Sequence, residues 1–220
     1  MIKSQRSSHG NASANRTEFR GVFIKRVHQL IARGYARMDS AAFRVSQEPD
    51  ITGELVKSID QVLNECSEPW MDRFSVYDDP PVNDGHRMGK RRKRVDLRID
   101  SAMSRPRCRF RFESKRLGPG HPISVYLGPE GLGCFLRGDY ARDEDEGGML
   151  GYVQCTDLEV WAYKLSMAMG RDFAAFEIVS TPPLSKYAID PGLQHTYHSK
   201  HARKAVGRPL VIYHSLLKFH

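Results

Sequence analysis

Between residues 94 and 115 the chain alternates apolar and charged side chains with a period of two, in two runs joined by six residues. In 94–100, Val95, Leu97 and Ile99 fall on one side and Arg94, Asp96, Arg98 and Asp100 on the other. In 107–115, Cys108, Phe110 and Phe112 oppose Arg107, Arg109, Arg111, Glu113 and Lys115. Only an extended strand sends alternate residues to opposite faces. The short link 101–106 cannot hold a parallel crossover, so the runs form an antiparallel pair. Because their apolar faces must cover one core, their charged faces coincide.

Elsewhere the period changes. In 17–38, Phe19, Phe23, Val27, Leu30 and Ile31 recur at helical steps. A second helix is expected from about Asp50 as N-cap, burying Ile51, Leu55, Ile59, Val62 and Leu63, with Glu54 in its first turn off the apolar stripe. The stretch 77–85 reads as a loop, 118–133 as Gly/Pro-rich turns with a short strand at 123–127, and 149–154 as a buried strand. Thr156 and Glu159 have capping-box spacing for a helix ending near Gly170, with Leu158, Trp161, Leu165 and Met169 inward. Strands are expected at 173–180 and 209–219, with a polar connection at 181–207. Residues 1–16 lack apolar periodicity and read as a disordered tail before a single domain, 17–220. Setting aside the first helix and the insertion, the order helix, strand, strand, strand, helix, strand implies a mixed α/β sheet with helices on its faces.

The net charge of +8 is concentrated: residues 87–116 carry 13 Lys or Arg against three acids, a local +10, leaving −2 for the other 190. Such a patch suits a polyanion such as nucleic acid. No apolar run reaches the roughly 18 residues of a membrane span, and residues 1–20 lack the apolar centre of a signal peptide. Cys66, Cys108, Cys134 and Cys155 lie far apart without CxxC spacing, which fits reduced thiols and a cytoplasmic protein with no membrane partner.

Asp96, Glu113 and Lys115 share the charged face of the strand pair. Two carboxylates suit Mg²⁺, which keeps several waters and is commonly shared with substrate phosphate. A neighbouring ammonium could orient the attacking water or neutralise developing charge. The surrounding Lys90, Arg91, Arg92, Lys93, Arg94, Arg98, Arg109, Arg111 and Arg116 could hold flanking phosphates.

With Asp96 followed 17 residues later by Glu113-Ser114-Lys115 on adjacent strands, the chain resembles the PD-(D/E)xK (restriction endonuclease-like) nuclease superfamily over roughly residues 50–180. Val95 stands where the family name has Pro. The resemblance implies an αβββαβ core, Asp96 and Glu113 as metal ligands for Mg²⁺ or Mn²⁺, Lys115 as the catalytic lysine, and Glu54 as a helper ligand. Glu54 is more readily explained as a carboxylate favoured near a helix N-terminus than as a metal ligand. The resemblance further implies DNA hydrolysis, as in defence against foreign DNA, with a homodimer or a companion ATPase or sensor as partners. An RNA substrate and a non-catalytic nucleic-acid-binding subunit are the alternatives.

The other motifs read more plainly. The run 89–94 is a phosphate-binding loop, a localisation signal or a solvated hinge, and its position beside Asp96 favours substrate contact. His195, His198 and His201 lack a nearby carboxylate or Cys partner and read as a polar loop or a phosphate-facing surface rather than a metal site. Residues 127–133 lack the Gly-Lys-Ser/Thr ending of a nucleotide cradle. The acidic tip 143–146 reads as a loop that repels DNA or meets a partner, and Gln154 as a minor support for the site.

Overall fold

The computed structural model describes residues 8–82 and 88–220, with side chains described from residue 18 onward. Its chain order is α1 (Ser8–Tyr35), α2 (Glu48–Glu65), β1 (Phe74–Asp78), β2 (Leu97–Ser101), β3 (Cys108–Leu117), α3 (Ile123–Tyr126) and α4 (Leu132–Leu136). It continues with β4 (Glu146–Val153), α5 (Leu158–Arg171), β5 (Ser185–Lys186), β6 (Thr196–His201) and β7 (Leu210–Lys218). The strands form one seven-stranded sheet in the order β1-β2-β3-β4-β7-β6-β5. β1, β2 and β3 form an antiparallel meander, β3, β4 and β7 run parallel, and β6 and β5 return antiparallel on the far side.

The alternating runs form the expected pair over 97–101 and 108–112, with Leu97 opposite Phe112 and Asp100 opposite Arg109. Val95, expected on the side of Leu97 and Ile99, packs on the other face instead, because the ladder that fixes the alternation ends before it. Leu97, Ile99, Phe110 and Phe112 join Leu150, Tyr152 and Leu217 beneath α1 and α2. On the other face, Val95, Leu117, Met149, Val153 and Leu216 pack with residues of α3, α4 and α5. The central strand β4 is buried along nearly its whole length, as a parallel strand covered on both sides should be.

Several sequence expectations change. Helix α1 begins at Ser8, so the chain expected as a tail through residue 16 is helical from there, and residues 1–7 lie outside the described residues. Helix α2 starts at Glu48 with Pro49 in its first turn, and its N-cap is Gln47 rather than Asp50. Tyr77 and Asp78, expected in a loop, close the edge strand β1. The short apolar run at 123–127 is a helical turn with Tyr126 inward. Thr156 takes a positive φ of 60°, and Asp157 is the N-cap of α5 without a side-chain capping bond, so no capping box forms. Residues 173–177 are turns, and only Ile178 makes a bridge, to His201. The polar connection instead contains β5 and β6, because polar residues of β6 find partners on β7: Thr196 Oγ1 lies 3.0 Å from Ser215 Oγ, and Ser199 Oγ 2.8 Å from His214 Nε2. Burial with full pairing hides such a strand from any reading of hydropathy.

Candidate active site

Asp96 stands one residue before β2, where the ladder to β3 has just ended. Its position is fixed on three sides. The Ser114 backbone N–H donates to Asp96 Oδ2 at 2.6 Å, Asp79 N–H donates to the Asp96 carbonyl at 2.9 Å, and the Tyr140 hydroxyl donates to the Arg94 carbonyl at 2.6 Å. Glu113 and Lys115 share a face of β3, and the Lys115 ammonium donates to Glu113 Oε1 at 2.8 Å and to the Ser114 carbonyl at 2.7 Å.

The third acid comes from α2, and it is Glu48. Its Oε1 accepts from Lys115 Nζ at 2.9 Å and its Oε2 from the Arg116 backbone N–H at 3.2 Å. Glu54, expected as the helper ligand, pairs with Lys57 at 3.1 Å instead. Six residues turn an α-helix through about 240° beyond a full turn, so Glu54 faces away from the side that Glu48 presents to β3. Pro49 was the available signal, because proline favours the first turn of a helix and so places Glu48 at its start.

Burial dominates the electrostatics. It pushes Asp96 up to about 6 against the pull of Lys115 and the Ser114 N–H. Burial and then the neighbouring Asp96 charge push Glu113 up to about 8, against the pull of Lys115. For Lys115 burial opposes the charge, but Glu113 and Glu48 outweigh it and hold the ammonium above the usual lysine range. Glu113 Oε2 is buried without a partner among the described residues. An orphan carboxylate oxygen beside a second desolvated carboxylate lacks positive charge, and the pair fits a divalent cation held through oxygen. Among the described residues no three His, Cys, Asp or Glu side chains gather as a metal-binding group; Glu48 and Glu113 meet through the Lys115 ammonium.

The basic residues divide. Lys90, Arg91 and Arg94 are exposed, Arg92 and Lys93 partly so, and Lys93 and Arg94 pair with Glu130 and Asp79. Arg98 pairs with Asp100 at 3.0 Å and lies over the Tyr77 ring, while Arg109 is half exposed and 3.9 Å from Asp100. Arg111 is buried against Glu144, and Arg116 donates to the Ser46 carbonyl at 3.3 Å. These last two, expected to bind nucleic acid, are engaged inside the fold. A cleft of about 1310 Å³ opens at the start of β3, lined by Arg98, Arg105, Arg107 and Arg109 on one side and by the acidic tip on the other; Asp96, Glu113 and Lys115 do not line it.

The acidic tip is tied down by arginines: Arg111 holds Glu144, Arg208 holds Asp145, and Arg20 holds Glu146. Fully buried Arg203 donates to the carbonyls of Ala141, Arg142 and Glu144. The three histidines do not converge. His195 lies 3.5 Å from Glu159, His198 packs on Tyr187, and His201 is buried against Ser199.

No family model matches the sequence, and no curated protein or solved structure is similar to it. The site is therefore read from its own chemistry.

Proposed function

We propose that the protein is a Mg²⁺-dependent nuclease of the PD-(D/E)xK type that hydrolyses phosphodiester bonds in DNA. The observation that carries this reading is the meeting of Asp96, Glu113 and Lys115 at the open end of a strand pair, with Glu113 Oε2 buried and lacking a partner among the described residues. The run α2, β1, β2, β3, α3–α4, β4 supports the αβββαβ core of that superfamily. Asp96 and Glu113 would hold Mg²⁺ or Mn²⁺. When bound, such an ion stabilises charge on a phosphate and lowers the pKa of a water. Lys115 would present its ammonium to the attacked phosphate, oriented by Glu113 and by Glu48, which takes the place expected of Glu54. Exposed Lys90, Arg91, Arg105, Arg107 and Arg109 would contact flanking phosphates.

Purified protein with Mg²⁺ is expected to cleave plasmid or linear DNA, and Asp96→Ala and Lys115→Ala to abolish cleavage. If wild type and both variants behave alike on DNA and RNA with either metal, the assignment fails. Tight, salt-sensitive binding that is indifferent to Mg²⁺ and to loss of Glu113 would instead identify a non-catalytic binding subunit.

A further inference from the structure

We propose that Tyr152 and Gln154, alternate residues along β4 and its extension, are positioning residues that hold the start of α2 so that Glu48 meets Lys115. Neither touches the three charged groups. Gln154 Nε2 donates to the Phe43 carbonyl at 3.0 Å and to the Ser46 carbonyl at 2.9 Å. Between the two carbonyls the chain is exposed, with Val45 83% accessible, and Ser46 leads directly to Gln47, the N-cap. The Gln154 amide thus fixes where the helix begins.

Tyr152 fixes the first turn against β3. Its hydroxyl donates to Ser114 Oγ at 3.1 Å and lies 2.9 Å from Thr52 Oγ1, whose own hydroxyl donates to the Glu48 carbonyl at 3.0 Å. Ser114 is the residue between Glu113 and Lys115, and its N–H is the one that holds Asp96. Tyr152, Thr52 and Ser114 are all buried. One buried hydroxyl cluster therefore joins the residue between Glu113 and Lys115, whose N–H also holds the Asp96 carboxylate, to the backbone of the helix that supplies the third acid. Arg116 adds a further tie, bonding Glu48 Oε2 through its backbone and the Ser46 carbonyl through its guanidinium. Groups that orient the charged residues of a site in this way change activity by about 10–100-fold when lost.

The functional half of the inference rests on the nuclease reading, and the geometric half does not. In protein carrying ¹⁵N-labelled lysine, the Lys115 ammonium, buried between two carboxylates, is expected to give a slowly exchanging NMR signal that Lys115→Met removes. Gln154→Glu, which replaces both donor N–H groups with carboxylate oxygen, should speed that exchange by about tenfold or more, and Tyr152→Phe by less. In a Glu48→Gln background the same substitutions should add nothing, since residues acting through one contact are not additive. An unchanged ammonium signal in Gln154→Glu and Tyr152→Phe, or an undiminished effect without Glu48, overturns the positioning role; Gln154→Ala serves if Gln154→Glu fails to fold. Where wild type cleaves DNA, kcat of Gln154→Glu should fall about 10–100-fold with KM nearly unchanged. An unaltered kcat beside an altered ammonium signal overturns the functional half. A wild type that cleaves nothing sinks the nuclease reading, while the ammonium signal still decides the geometry.

Discussion

At the scale of single residues, the site acids and the buried histidines act on stability in opposite directions. Asp96 and Glu113 are raised in the fold, so the folded state binds protons more tightly than the unfolded chain. Their contribution is most favourable at low pH and is lost as pH rises through about 6 and then about 8. A divalent cation between the carboxylates would offset that loss. Mg²⁺ or Mn²⁺ should therefore raise the thermal midpoint more at pH 8 than at pH 5.5, and Asp96→Asn should remove the difference; a metal shift independent of pH and of Asp96 would contradict it. His28 behaves conversely. Burial among Phe110, Phe112 and Tyr213 lowers it to about 4, so its contribution is complete above the unfolded value and is lost as pH falls from about 6.5 toward 4. His28 Nδ1 bonds the Ile24 carbonyl of its own helix, and Nε2 has no partner among the described residues. His28→Leu should flatten the acid limb of a stability-against-pH curve. The arginines give a further contrast. Arg111→Ala leaves Glu144 unpaired and should destabilise by about 3 kcal/mol in urea, whereas half-exposed Arg109→Ala should stay within about 0.5 kcal/mol while weakening DNA binding.

At the scale of elements, β4 sets the spacing of the site. At Gly148 an added Cβ would stand 2.2 Å from the fully buried Phe112 ring, on the strand that carries Glu113. Gly148→Ala should lower stability by about 1–3 kcal/mol through overpacking and should reduce cleavage with it. Gly170, in α5, has open space, its nearest neighbour being Pro183 at 3.9 Å. Gly170→Ala should stabilise by roughly 0.5–1 kcal/mol from helix propensity alone. Urea denaturation of both variants checks the contrast. The strand pair was legible because Leu97, Ile99, Phe110 and Phe112 are all apolar at alternate positions and all buried on one face. β6 was not, because Thr196, Ser199 and His201 are buried polar residues whose partners lie on other elements.

For the whole molecule, the concentrated positive charge proves to be of two kinds. Part neutralises acids inside the fold, as Arg111 does with Glu144, and part, including Arg105, Arg107 and Arg109, stands exposed along the open cleft at the start of β3. Only the second part should appear in binding. The slope of log affinity for DNA against log salt should therefore shrink by about 0.9 for each of Arg105, Arg107 or Arg109 that contacts a phosphate and is replaced by alanine. A slope unaffected by all three would remove the cleft from the substrate path. No helix of the described residues is long and apolar enough to cross a membrane.

Sequence alone determined the antiparallel pair over 97–101 and 108–112 and the shared face of Glu113 and Lys115 on β3, because a period of two fixes the side of the sheet each residue of a regular strand occupies. Asp96, outside the ladder, is held instead by the Ser114 N–H. Only the tertiary structure decided that Glu48 rather than Glu54 meets Lys115, that Arg111 and Arg116 serve the fold, and that Tyr152 and Gln154 reach from β4 to the start of α2. Periodicity reports which face of an element is buried. It carries no information about which residue of another element lies opposite, since that depends on where each helix begins and how it packs across the sheet.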